Sequence, residues 1–135
     1  MQHRASLQEI VTLLAVADRD LADSRVAGLS TDNRFACGYN AALQLAAAAL
    51  AAAGYRPART GSHHHYVIQS LSFTIGAEAD LINKFDSFRK KRNISAYERA
   101  GAVSDQEADE MAELARTLRS RVEDWIRQTH PELLP

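Results

Sequence analysis

The chain has 135 residues, 46% of them hydrophobic and 24% charged, proportions that fit one globular domain and exclude a disordered tail, a collagen-like rod or a second independent core. Its formal charge is -1, from 16 Lys+Arg against 17 Asp+Glu, so the surface as a whole is no general polyanion binder and any nucleic-acid contact must be local. Cys37, the one cysteine, has no partner for an internal disulfide, and no charged segment followed by an apolar run opens the chain, which leads to the expectation of a soluble, cytoplasmic protein with no membrane segment.

The elements read as helices. There are 24 alanines, and β-branched residues never alternate over a strand-length window, so the fold class is all-α. Ser6 with Glu9 makes a capping box, and Leu7, Ile10, Val11, Leu14, Val16 and Leu21 carry a helical stripe to about Ser24. After Gly28, Ser30 or Thr31 can cap a long helix through Phe35, Tyr39, Leu43, Leu45 and Leu50, stopped by Gly54. Its alanine-rich part, Ala41 to Ala53, is apolar for only about 13 residues, short of the roughly 20 a bilayer crossing needs, so it reads as a buried helix.

Residues 54–62 (GYRPARTGS) have loop chemistry. Ser62 can cap a third, shorter helix with Val67, Ile68, Leu71 and Ile75, ended by Gly76. A fourth helix follows from about Ala77 to near Asn93 with Leu81, Ile82, Phe85 and Phe88 inward, and the pattern then dissolves at NISAYERAGAV. Ser104 with Glu107 forms a second capping box and opens a fifth helix carrying Met111, Leu114, Ala115, Leu118, Val122, Trp125 and Ile126 until Pro131. The expected architecture is an antiparallel up-and-down four-helix bundle with one additional short helix, in a single domain over residues 1–135.

The fourth helix departs from a plain bundle. With Leu81 at zero and about 100° per residue, Phe85 falls at about 40°, Phe88 at about 340° and Arg92 at about 20°, so an arginine occupies the centre of the apolar stripe. A guanidinium aimed into a core costs several kcal/mol unless it is paired or lines a cleft. Arg92 either lies in the last turn and complements the helix dipole or has been put to use. Arg89, Lys90, Lys91 and Arg92 form a cationic run, followed by Asn93 and Tyr97; only Arg89 and Arg92 share a side. Arginine binds phosphate in two-pronged fashion, and Asn93 can cap the helix or donate to a ligand oxygen.

The segment FDSFRKKRNISAYE, Phe85 to Glu98, resembles the signature of HEPN domains, small helical domains of prokaryotic toxin-antitoxin and defence systems. Their motif runs arginine, a polar residue often asparagine, three variable residues, histidine. Arg92 and Asn93 match it, and Tyr97 stands at the histidine position. The wider layout is similar too, with Tyr39 and Asn40 before an alanine-rich helix, a loop like Gly54 to Arg59, a histidine near His63 and a last helix after SDQE; the likeness spans roughly residues 6–130. The resemblance implies a homodimer that binds RNA or a nucleotide at the cleft between protomers. It further implies metal-independent RNA cleavage, with Arg92 and Tyr97 as catalytic residues, Arg89 and Asn93 as substrate-binding residues and no cofactor. HEPN proteins are often paired with nucleotidyltransferases, and some are modified on a motif tyrosine. That implies the alternative of a non-catalytic module for a nucleotide or for a nucleotidyltransferase-type antitoxin; a purely structural helical partner is the third reading.

The tyrosine bears on the choice. A phenol titrates at about 10 and is a poor general base at neutral pH, whereas an imidazole at about 6.5 suits that task. Residues five apart on an unbroken helix also diverge by about 140°, so Arg92 and Tyr97 converge within one chain only where the helix bends or ends. Consecutive residues His63, His64 and His65 point about 100° apart and lack the spacing of a metal site, but one of them can face the bundle or the dimer cleft and carry protons. Arg56 and Arg59 can extend a basic surface, Cys37 reads as a small buried hydrophobe, and Trp125 as a core anchor.

Overall fold

A computed structural model describes residues 2–57, 63–97 and 103–135, with side chains at these positions except 94–97. The described residues form five α-helices and two 3-10 turns. α1 is Leu7–Asp23, α2 Thr31–Ala52, α3 His63–Gln69, α4 Ala79–Tyr97 and α5 Asp105–Thr129; the 3-10 turns are Ser70–Ser72 and Pro131–Leu133. The all-α expectation holds. The one strand-like pairing among these residues is an isolated bridge between Gln2 and Tyr55.

α2 is the hub. It packs chiefly on α5 and α1, with α3 and α4 set against it as well, and it is buried on most sides, from Phe35 through Ala52. Small residues make this possible: a Cβ added at Gly38 would lie 3.2 Å from Met111 Cγ and 3.5 Å from the Ala112 backbone nitrogen, so α2 and α5 approach closely at that glycine. α2 alone among the described helices is long and apolar enough to cross a membrane, and 67% of its most apolar window is buried inside the molecule, as expected of a core helix.

α5 carries the opposite pattern, one buried line of Ala108, Met111, Leu114, Ala115, Leu118, Val122 and Ile126 with charges elsewhere. Its N-terminus has the full capping box: Ser104 Oγ accepts from Glu107 N, and Glu107 Oε1 accepts from Ser104 N. Arg119 grips Asp18 of α1 with two nitrogens, at 2.7 and 3.2 Å, and Arg34 of α2 reaches Asp109 at 2.9 Å and Asp105 at 3.3 Å. Such exposed pairs add little stability individually and chiefly fix register.

Several boundaries differ from the sequence reading. Ser30, of the two alternatives, caps α2 through its side chain. In α1, Ser6 Oγ caps Glu9 N, but the Glu9 carboxylate turns away to His3 at 2.6 Å and Arg56 at 3.2 Å, so only half of that box forms. The buried line of α1 is Ile10, Leu14 and Ala17, while Leu7 stays exposed. The third helix does not continue to Ile75. It tightens into 3-10 geometry at Ser70, whose hydroxyl donates back to the Val67 carbonyl as Thr74 donates to that of Ser70, and side-chain hydrogen bonds of this kind compete with helix propagation. Gly76 then takes φ +69°, a left-handed value that costs glycine little.

α4 begins at Ala79 and runs on past Asn93 to Tyr97. Asn, Ile and Ser each cost a helix only tenths of a kcal/mol relative to alanine, too little to break it. Arg92 thus sits more than a turn before the end of α4 and is no last-turn residue. The expected Ser62 cap and the close of the NISAYERAGAV segment lie outside the described residues.

Candidate functional site

The site is built on Tyr39, the largest fully buried side chain of the described chain. Its ring is held edge-on by Phe85 of α4, with centroids 5.8 Å apart, and one turn along α2 Phe35 meets Phe88 in the same way at 5.5 Å. These pairs lock α4 on α2 along the Phe85–Phe88 stripe. Arg92 continues that stripe, and its guanidinium carbon lies 5.3 Å from the centroid of the Tyr39 ring. The side chain is half-buried, with the stem along the apolar face and the cation on an aromatic ring, an electrostatically favourable placement.

From α3, His64 closes the group. Its Nδ1 is 3.3 Å from the Tyr39 hydroxyl. Burial pushes the phenol up to about 12, against the pull of Arg92 and Arg89, so Tyr39 is a neutral hydrogen-bonding group. Burial pushes His64 down from the ordinary imidazole range, and His63, Arg92 and Arg89 add to the shift. At neutral pH His64 is therefore uncharged and able to accept a proton.

Beside this group lies an ionic cluster that the sequence reading did not single out. Asp86 accepts from Arg89 Nε at 2.7 Å and lies 3.1 Å from His65 Nδ1, with Lys90 Nζ at 3.8 Å. The Arg89 hydrogen bond, with help from His65, holds the Asp86 carboxyl below its usual range, and Asp86 raises Arg89 in turn. Asp86 thus fixes Arg89 on the side of α4 that faces α3. The spacing of Asp86 to Arg89 and Lys90, three and four along a helix, was the available signal.

α4 carries all four residues singled out from its sequence, in different settings. Arg92 and Arg89 are half-buried beside Tyr39 and Asp86, and Asn93 is exposed. Tyr97 is the last helical residue, and its side chain lies outside the described residues. The helix does not break between Arg92 and Tyr97, so their positions stay about 140° apart around one axis. Lys91 turns to Glu107 of α5 at 3.4 Å. Of the three histidines, His64 and His65 face the cluster, and His63 packs edge-on against His64 at 4.6 Å. Among the described residues no group of three His, Cys, Asp or Glu side chains could hold a metal ion.

Arg56 is committed in part to Glu9 at 3.2 Å, and Arg59 lies outside the described residues. Cys37 is half-buried, with burial and then Asp20 and Asp23 pushing its thiol up; this is an unreactive setting. Trp125 is partly buried and packs on the core, its ring 5.3 Å from that of His130.

The arrangement offers a neutral imidazole, a buried phenol and two arginines within one corner of α2, α3 and α4. These are the elements of phosphate binding and proton transfer. No family model matches the chain, and no curated protein matches its sequence.

Proposed function

We propose that the chain is a HEPN-like cytoplasmic homodimer of a toxin-antitoxin or defence system, with a four-helix bundle of the kind that family has. In this reading it binds RNA at the cleft between protomers and cleaves it without a metal. The observation that carries the reading is the triplet in which His64 meets the Tyr39 hydroxyl under the Arg92 guanidinium. It joins the motif arginine to Tyr39 and to the neighbour of His63, both part of the layout that resembles the family.

The chemistry follows from the groups. Arg92, with Arg89, holds the non-bridging oxygens of a phosphodiester and stabilises the charge that grows on them. The ribose 2′-hydroxyl attacks phosphorus and gives up its proton to a neutral imidazole. The bond to the 5′-oxygen breaks, and that oxygen takes a proton from a donor. His64, neutral at pH 7, fits the accepting role. The phenol of Tyr97 is suited to donate or to hydrogen-bond, since phenols ordinarily keep their proton to about pH 10. Asn93, exposed on the same helix, is available to a ligand oxygen.

Incubating the purified protein with RNA in the presence of chelator tests this. Wild type is expected to give cyclic-phosphate products and Arg92→Ala none; equal products from both proteins, or none from either, contradict cleavage at this site. The unbroken course of α4 favours a second reading. With positions 92 and 97 held apart in each chain, the cleft would bind a nucleotide, or a nucleotidyltransferase partner, without cutting. Salt-sensitive binding that weakens in Arg92→Ala, with no cleavage, is the result expected of it.

A further inference from the structure

Three of the five exposed large apolar side chains among the described residues are aromatic and converge on one groove: Tyr55 is 44% exposed, Tyr66 60% and Phe73 62%. The groove lies between the chain that leaves α2 and the outer face of α3 and its 3-10 extension, with a volume of about 430 Å³, inside the roughly 300–1,000 Å³ range of small-ligand sites. Tyr55 and Phe73 meet edge to face at 6.3 Å. Gln69 supplies an amide that can pair with a base edge. Among the described residues Arg56 is the one charged side chain lining the groove, and alongside its pairing with Glu9, 61% of its side chain remains exposed.

The groove adjoins α3, whose His65 faces the cationic corner of α4. Tyr66 packs edge-on against His65 at 5.6 Å, His65 contacts Asp86, and Asp86 holds Arg89. A flat ring seated in the groove therefore has the Arg56 cation beside it, with no carboxylate among the described lining residues. Exposed aromatic faces beside an arginine suit single-stranded nucleic acid, whose bases stack while its phosphates pair with arginine.

We propose that this groove is a nucleobase-binding site, in which a base flanking the phosphate held by Arg89 and Arg92 stacks on Tyr66 and Phe73. The proposal rests on the RNA reading above and assigns that ligand a second foothold. Because Tyr66 and Phe73 are exposed, their replacement leaves the core intact.

The test is fluorescence anisotropy of a labelled oligouridylate, of an abasic oligonucleotide with the same backbone, and of labelled UMP, each with the full-length chain. Tyr66→Ala and Phe73→Ala are each expected to weaken oligouridylate about tenfold and to leave the abasic strand unchanged. Tyr66→Phe keeps the stacking face and should bind like wild type, while Arg92→Ala weakens both strands alike. UMP binding that is lost in Tyr66→Ala would show that the site also takes free nucleotide. Oligouridylate binding that survives in both alanine variants but falls in Arg92→Ala overturns the groove and leaves the RNA reading standing. Absence of wild-type binding to either strand removes both. Conversion of a dimer to a monomer by Tyr66→Ala would assign the groove to a second copy of the chain and overturn the proposal as well.

Discussion

The hydroxyl of Tyr39, a residue with no exposed surface, lies 3.3 Å from Nδ1 of His64. A buried phenol oxygen requires a partner, and α3 supplies it, so this contact both orients the imidazole and fixes α3 on α2. Tyr39→Phe keeps the ring against Phe85 and removes the hydrogen bond. A stability loss of about 1 kcal/mol is expected in urea denaturation, against about 3–5 kcal/mol for Tyr39→Ala, which opens a cavity. No loss in Tyr39→Phe would show that the hydroxyl is unimportant beside the packing, and equal losses in the two variants would show that the ring packing adds nothing.

Burial holds the His64 imidazole below its ordinary range. Its folded pKa is depressed, so the unfolded chain takes up the proton first on acidification. The contribution is fully present above about pH 6.5 and declines as pH falls toward the folded value. Histidine NMR should show one resonance titrating below the unfolded range and assigned to His64 by its loss in His64→Gln. The gap in stability between wild type and His64→Gln should narrow as pH is lowered from neutrality through the unfolded histidine range.

Asp86 behaves as a depressed carboxylate. Its contribution holds above about pH 3.9 and is lost as pH falls through the lower folded pKa. Asp86→Asn leaves Arg89 and His65 with a weaker acceptor. A cost of about 1–2 kcal/mol at neutral pH is expected, shrinking on acidification, as measured by urea midpoints at neutral pH and at about pH 3.

The capping box of α5 is the cleanest local signal. Ser104→Ala removes the acceptor for Glu107 N and is expected to lower stability by about 1 kcal/mol, read as a shift in urea midpoint with unchanged slope.

Much of this fold is legible in the sequence because it is local. SDQE opens α5 as read, the apolar line of α5 is buried as read except at Trp125, which is only partly buried, and the displaced stripe of α4 foretells Arg92 beside an aromatic core. What fails is what tertiary partners decide. Glu9 abandons its capping box because His3 and Arg56 offer it charge, and Ser70 ends α3 early by bonding its own helix. Asn93 does not end α4, because the cost of weak helix formers is small against packing of the Phe85–Phe88 stripe. Within the site, the arginine was visible by angle alone. The pairing of Tyr39 with His64 was not, since two residues on different helices share no spacing rule, and which of three adjacent histidines turns inward depends on where α3 lands.

The role proposed for Arg92 is to hold a phosphate. The direct measurement is affinity for a single-stranded RNA oligomer against salt concentration, for wild type, Arg92→Lys and Arg92→Ala, with folding of each variant verified by circular dichroism. Arg92→Ala is expected to weaken binding and to flatten the log–log slope by about 0.7 for each phosphate no longer neutralised, with Arg92→Lys retaining the slope at reduced affinity. Superimposable lines for wild type and Arg92→Ala would contradict it and leave Arg92 as a cation that merely packs on Tyr39.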